Sequence, residues 1–211
     1  MPAMSALERA LCRSGPWRVL TRRVVVPWAL DGVDLGGDVL ELGSGSGAVA
    51  GELLRRFPSI RLTATDVDPA MVDSGRRHLR PFGERVDVRQ VDATALPFDA
   101  GSFDTVVSFI MLHHTLRWED VVGEAIRVLR PGGRLLGYDL VNSRPARTFH
   151  RLDRSHHRLA SVNELSARLR QLPVEEVRLE PALEHLVVRF HARRSGDQPE
   201  SPPAEENEER R

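Results

Sequence analysis

The chain is constrained most by Val39-Leu40-Glu41-Leu42-Gly43-Ser44-Gly45-Ser46-Gly47, an apolar run that breaks into alternating glycines. Val39 to Leu42 reads as a buried strand, and a helical pattern resumes at Ala48. Without a Cβ, glycine lets the turn take positive φ and brings the backbone against a ligand. A strand, a glycine turn and a helix N-terminus together make a nucleotide site at the carboxyl edge of a parallel sheet. Gly43-x-Gly45-x-x-Ala48 also satisfies the dinucleotide pattern G-x-G-x-x-G/A, so the turn alone leaves the cofactor open.

The flanking segments repeat one alternation. Helix 46–57 carries Val49, Leu53, Leu54 and Phe57 on one face, and Pro58 ends it. Ile60 to Thr65 forms a second strand, closed by Asp66-Val67-Asp68-Pro69, and helix 69–80 follows with Asp68 as its cap. That assignment leaves Asp66 free, near the offset at which an acid meets ribose hydroxyls. Val86 to Val91 and Phe103 to Ile110 are the third and fourth strands. Helix 117–130 stops at Arg130-Pro131-Gly132-Gly133, and Arg134 to Leu140 is the fifth strand. Five strands alternating with helices predict a doubly wound parallel α/β sheet.

Beyond residue 140 the pattern changes. Arg144, Arg147, Arg151, Arg154 and Arg158 share one face if that stretch is helical. Such a face suits an anionic acceptor or weak contact of 144–160 with a membrane surface, and equally a solvated face in a chain without lysine. Ser161-x-x-Glu164 opens helix 162–171 as a capping box. Residues 174–180 and 184–191 read as a final antiparallel pair joined at Pro181.

The expected division is an N-terminal helical segment over 1–37, a main domain over 38–194 and a disordered tail over 195–211. The N-terminal segment is either a lid over the glycine loop or a helix on the sheet edge. Thirty basic and 30 acidic residues cancel, so no global field favours nucleic acid. The single cysteine, Cys12, excludes a disulfide framework and a cysteine-based zinc site, and no metal is expected. With no membrane-length apolar run and no signal-peptide pattern, the expectation is a cytoplasmic protein.

Together these stretches resemble the class I methyltransferases that use S-adenosyl-L-methionine, in particular the methyltransferase-11-like members. The resemblance covers about residues 38–140. It implies a Rossmann-like seven-stranded sheet of order 3-2-1-4-5-7-6 with strand 7 antiparallel. Glu41, Gly43, Ser44, Gly45, Ser46 and Gly47 resemble the family's first motif. Asp66 resembles its ribose-binding acid with Val67 against adenine, Asp92-Ala93 its adenine-edge motif, and Ser108 the point where strand four reaches the cofactor. A sulfonium favours a carboxylate such as Glu41 beside the loop, whereas pyrophosphate is repelled by it.

Methyl transfer is an in-line displacement that depends mainly on alignment. A base is needed only if the acceptor must lose a proton, and His114 is the candidate, with His113, Tyr138 and Asp139 nearby. A packing role serves the histidines as well. No Asn-Pro-Pro-Tyr motif is present, so a small-molecule acceptor is expected rather than nucleic acid. Two other readings stay open: a nicotinamide-dependent oxidoreductase on the same turn, and a non-catalytic scaffold of this fold.

Overall fold

A computed structural model of the chain describes residues 15–143 and 158–196. The predicted segment around Met4, Leu7 and Leu11, the arginines from Arg144 to Arg154 and residues 197–211 lie outside the described residues.

The sheet has seven strands in the order β3-β2-β1-β4-β5-β7-β6. In chain order, α1 (Gly15–Leu20), a π-helical turn (Thr21–Val25) and α2 (Val26–Leu30) lead to β1 (Asp38–Leu42). Next come α3 (Ala48–Arg56), β2 (Arg61–Asp66), α4 (Pro69–Leu79) and β3 (Val86–Gln90). The second half holds β4 (Phe103–Phe109), α5 (Trp118–Val128), β5 (Leu129–Leu140), α6 (Val162–Arg170), β6 (Val174–Ala182) and β7 (Val187–Arg194). Strands β1 to β5 pair in parallel, and β7 is antiparallel to both β5 and β6.

Alternation along the central strands builds two cores. Leu40, Leu42, Val106 and Leu135 face α5 and α6, where Val121, Ile126 and Leu169 bury. Val39, Val107, Leu136 and Tyr138 face the opposite layer, with Val26, Leu30 and Leu53. Central parallel strands buried on both faces read as continuous apolar runs, which is why they were visible in the sequence.

Several boundaries differ from the sequence reading. Helix α5 ends at Val128 because Leu129 turns extended (φ −69°, ψ 143°) and pairs with Phe103 of β4. Pro131-Gly132-Gly133 therefore sits within β5 rather than before it. A Cβ at Gly133 would lie 2.8 Å from the Arg130 carbonyl oxygen and 3.0 Å from that of Asp104, so only glycine admits this approach. The last hairpin turns at 183–186, not at Pro181, with Leu183, Glu184 and His185 all at positive φ. Pro181 is accommodated inside β6 because that strand is an edge, with one side unpaired. The capping assignments hold: Asp68 accepts from the Ala70 amide, and Ser161 and Glu164 form a reciprocal capping box.

Candidate functional site

Glu41 to Gly47 leaves the carboxyl end of β1 and turns into α3 at the centre of the sheet, beside β2 and β4. The Ser44 amide donates to the Thr65 carbonyl at 2.8 Å, and the Thr65 hydroxyl donates to the Glu41 carbonyl at 2.8 Å. Gly43 takes φ +69°, and an added Cβ would fall 2.8 Å from Cβ of Met111, nearer still to its Cγ. Met111 thus packs onto the loop, a contact that nothing in the sequence pattern announces.

Asp66 is engaged rather than free. Its Oδ2 accepts from the Gly45 amide at 2.8 Å, and its Oδ1 from the Asp68 amide at 2.9 Å. Burial pushes its pKa up against the pull of those amides. Each oxygen keeps a second lone pair, so the carboxylate both shapes the loop and retains capacity to accept. Val67, half-buried, follows it, and its carbonyl accepts from Gln90.

Glu41 is 2% exposed, and its Oε2 has no hydrogen-bond partner. Burial, and next the charge of Asp66, push its pKa up to about 8. A carboxyl so placed is a costly feature for an empty core and a ready acceptor for a cation. Two buried hydroxyls, Ser44 Oγ and Ser108 Oγ, are likewise unpartnered, and β1–β4 pairing sets Ser108 beside Leu42. Ser46 is buried in the same turn. A Cβ added at Gly45 would meet nothing within 4 Å, so open space adjoins the loop. The donor set, three orphaned polar atoms around a glycine cradle, fits a small ligand carrying positive charge and hydroxyls.

At the β3 end, Asp92 is exposed and its Oδ1 accepts from the Thr94 amide (2.9 Å) and hydroxyl (2.7 Å), while Ala93 is buried. Those bonds, with nearby positive charge, hold Asp92 below the usual carboxylate range despite partial burial.

The turn after β4 carries the histidines. Its residues Leu112–His114 form a single 3₁₀ turn beyond Ile110, which takes φ +51°. Asp139 Oδ2 accepts from the Met111 amide at 2.8 Å and the Leu112 amide at 2.6 Å, and its Oδ1 meets His113 Nδ1 at 2.5 Å. Burial alone would raise the Asp139 pKa. The His113 charge and hydrogen bond, with the amides, bring it below the ordinary value, so Asp139 is an ionised anchor rather than a base. His113 is buried, and the partly exposed ring of His114 rests on it at 4.0 Å between centroids. Tyr138 packs edge-on against Trp28 at 5.3 Å. The sequence offered a His-His doublet without saying which ring is held. Only the register of β5 shows that Asp139 takes His113.

Arg158 closes this rim, its amide donating to the His113 carbonyl and its guanidinium to the Leu116 carbonyl and Glu119. Among the described residues no group of three or more His, Cys, Asp or Glu could hold a metal ion, and no helix is long and apolar enough to cross a membrane.

The family profile for a methyltransferase domain matches residues 39–133, which span the glycine loop, Asp66, Asp92, Ser108 and His114. A demethylmenaquinone methyltransferase of Clavibacter sepedonicus is 36% identical over 120 residues, covering 57% of this chain and 45% of that protein. The chain thus spans about half the length of the curated relatives it matches. A chain from the complex of the Haloferax volcanii Trm112 methyltransferase activator and its methyltransferase superposes with a TM-score of 0.75 at 18% identity, covering 92% of this chain and all of that one. The [4+2]-cyclase SpnF has a TM-score of 0.64 at 19% identity, over 84% of this chain and 80% of that one, so the fold by itself does not dictate one reaction.

Proposed function

From the premise that this chain carries a methyltransferase domain of the class I fold, we propose that it transfers a methyl group from S-adenosyl-L-methionine to a small-molecule acceptor. The observation that carries the reading is Glu41, a fully buried carboxyl with an unpartnered oxygen beside the glycine loop. A cationic cofactor favours the ionised carboxylate and satisfies that oxygen, whereas the pyrophosphate of a nicotinamide cofactor does neither.

When bound, S-adenosyl-L-methionine supplies a methyl group activated on a positively charged sulfur. In this reading the chain's own residues align and select. Glu41 accepts from the cationic end, Asp66 from ribose hydroxyls, Val67 and Ala93 line the adenine, and Asp92 accepts from its amine. Ser44, Ser46 and Ser108 offer hydroxyls along the cleft, and the bare backbone of Gly45 leaves room for the ligand, while Gly43 and Gly47 let Met111 and Leu79 pack onto the loop. His114, on the rim after β4, is the proposed base for an acceptor that must lose a proton, its ring backed by the anchored His113. The named relative suggests a demethylated quinone ring as the acceptor class.

The test has two stages. Calorimetry should show S-adenosyl-L-methionine and S-adenosylhomocysteine binding and NAD not binding, and the opposite order would refute the reading in favour of an oxidoreductase. Single turnovers with a soluble naphthoquinol and a panel of phenols, amines and carboxylates should then release S-adenosylhomocysteine. Cofactor binding without release across the panel would instead support a non-catalytic scaffold.

A further inference from the structure

Thr21 opens the π-helical turn between α1 and α2, and the widened turn is closed by the Val26 amide donating to the Thr21 carbonyl five residues back. Turns of this kind are rare and concentrate at functional sites. Thr21 is 0% exposed, and its Oγ1 has no hydrogen-bond partner. A threonine hydroxyl in a helix ordinarily returns to a carbonyl three or four residues earlier, and this one does not. A buried hydroxyl without a partner calls for an explanation, and a bound ligand supplies one.

Placement supplies the second half of the argument. Arg22, the next residue, reaches Glu52 at 3.7 Å, so Thr21 stands beside the first turns of α3, the helix that rises from the glycine loop. Val26, one π turn below it, is fully buried in the core layer shared by Val39. Glu41 lies two residues along β1 from Val39, and alternation directs it to that same layer. Two orphaned oxygens, one acidic and one a hydroxyl, therefore belong to the same side of the sheet, near the helix that the glycine loop opens.

We propose that Thr21 is a cofactor-binding residue whose hydroxyl completes the pocket for the amino-acid end of S-adenosyl-L-methionine, with Glu41 as its charged counterpart. This rests on the methyltransferase reading above. Carboxylate oxygens accept only, so Glu41 takes the α-ammonium. A hydroxyl both donates and accepts, so Thr21 can serve the α-carboxylate that Glu41 would repel. The N-terminal segment then contributes to ligand recognition directly, and the π turn is the local distortion that frees the hydroxyl from its own helix.

The experiment separates that end of the ligand from the rest. Calorimetry on the full chain compares S-adenosyl-L-methionine with 5′-methylthioadenosine, which keeps adenine, ribose and sulfur but lacks the amino-acid group. Thr21→Val should weaken S-adenosyl-L-methionine about tenfold, the loss of one charge-assisted hydrogen bond, and leave methylthioadenosine unchanged. Thr21→Ala should show the same pattern, Thr21→Ser should bind as wild type, and ligand-free Thr21→Val should melt no lower than wild type. Equal losses for both ligands, or none for either, would overturn the assignment while leaving the methyltransferase reading in place. Wild type that binds neither ligand would overturn both.

Discussion

Replacing Glu41 by glutamine removes one titrating group from the core at almost constant shape. In the folded chain its pKa is pushed up to about 8 from an ordinary 4.5. Between those values the folded state keeps a proton that the unfolded chain releases. Stability from this group is therefore fully present below 4.5, falls as pH rises and levels off above about 8. At about 1.4 kcal/mol per unit, the loss is about 3 kcal/mol by neutral pH and about 5 kcal/mol once the group ionises. Urea unfolding of ligand-free protein across pH 5 to 8 should show wild type losing stability more steeply than Glu41→Gln by about 1 kcal/mol per unit.

A cationic ligand reverses the preference, because it favours the ionised carboxylate. Binding of S-adenosyl-L-methionine near neutral pH should then release close to one proton from wild type and none from the variant. Calorimetry in buffers of different ionisation enthalpy reads that number. Parallel pH slopes for the two proteins, together with no difference in proton release, would refute the claim that Glu41 is a buried neutral acid awaiting a cation.

Two further outcomes follow from the geometry. Gly43→Ala combines a positive φ with a clash against Met111, so thermal unfolding should report a loss of roughly 2–4 kcal/mol, part of it recovered by adding Met111→Ala. Asp139→Ala leaves three amides and His113 without their acceptor and should cost roughly 3–5 kcal/mol at neutral pH. The wild-type contribution is present above the ordinary aspartate range and lost as pH falls through the lower folded value, so the two proteins' acid unfolding curves should converge at low pH.

The alternation of strands and helices and the glycine turn after β1 were legible because they rest on local rules, whereas the strand order came from the family resemblance. Parallel strands leave continuous apolar runs, and a glycine turn at a strand's carboxyl end has few uses. What escaped the sequence depends on contacts between distant segments. Asp66 reads as a free, ribose-facing acid until β1 and β2 pair and set the Gly45 amide against it. His113 and His114 are equivalent as letters, and only the β4–β5 register gives one of them to Asp139. Met111 on Gly43 is a packing event 68 residues along the chain with no periodicity to announce it. The hairpin was misplaced because Pro181 reads as a breaker, whereas on an edge strand its missing amide costs little.

The order of the strands across the sheet differs from the order in which they are synthesised. β5 is complete at Leu140, yet its outer neighbour is β7, which ends at Arg194 and enters between β5 and β6. A chain emerging from the ribosome therefore carries the bare edge of β5, with Leu135 and Leu136 at its middle, for more than the time needed to add β6. At roughly 5–20 residues per second that exposure lasts seconds, long compared with the pairing of strands already made. For this protein the vulnerable species is the nascent chain between those two points, and a stalled or truncated product lacking β7 is the form that chaperones and proteases would be called on to recognise.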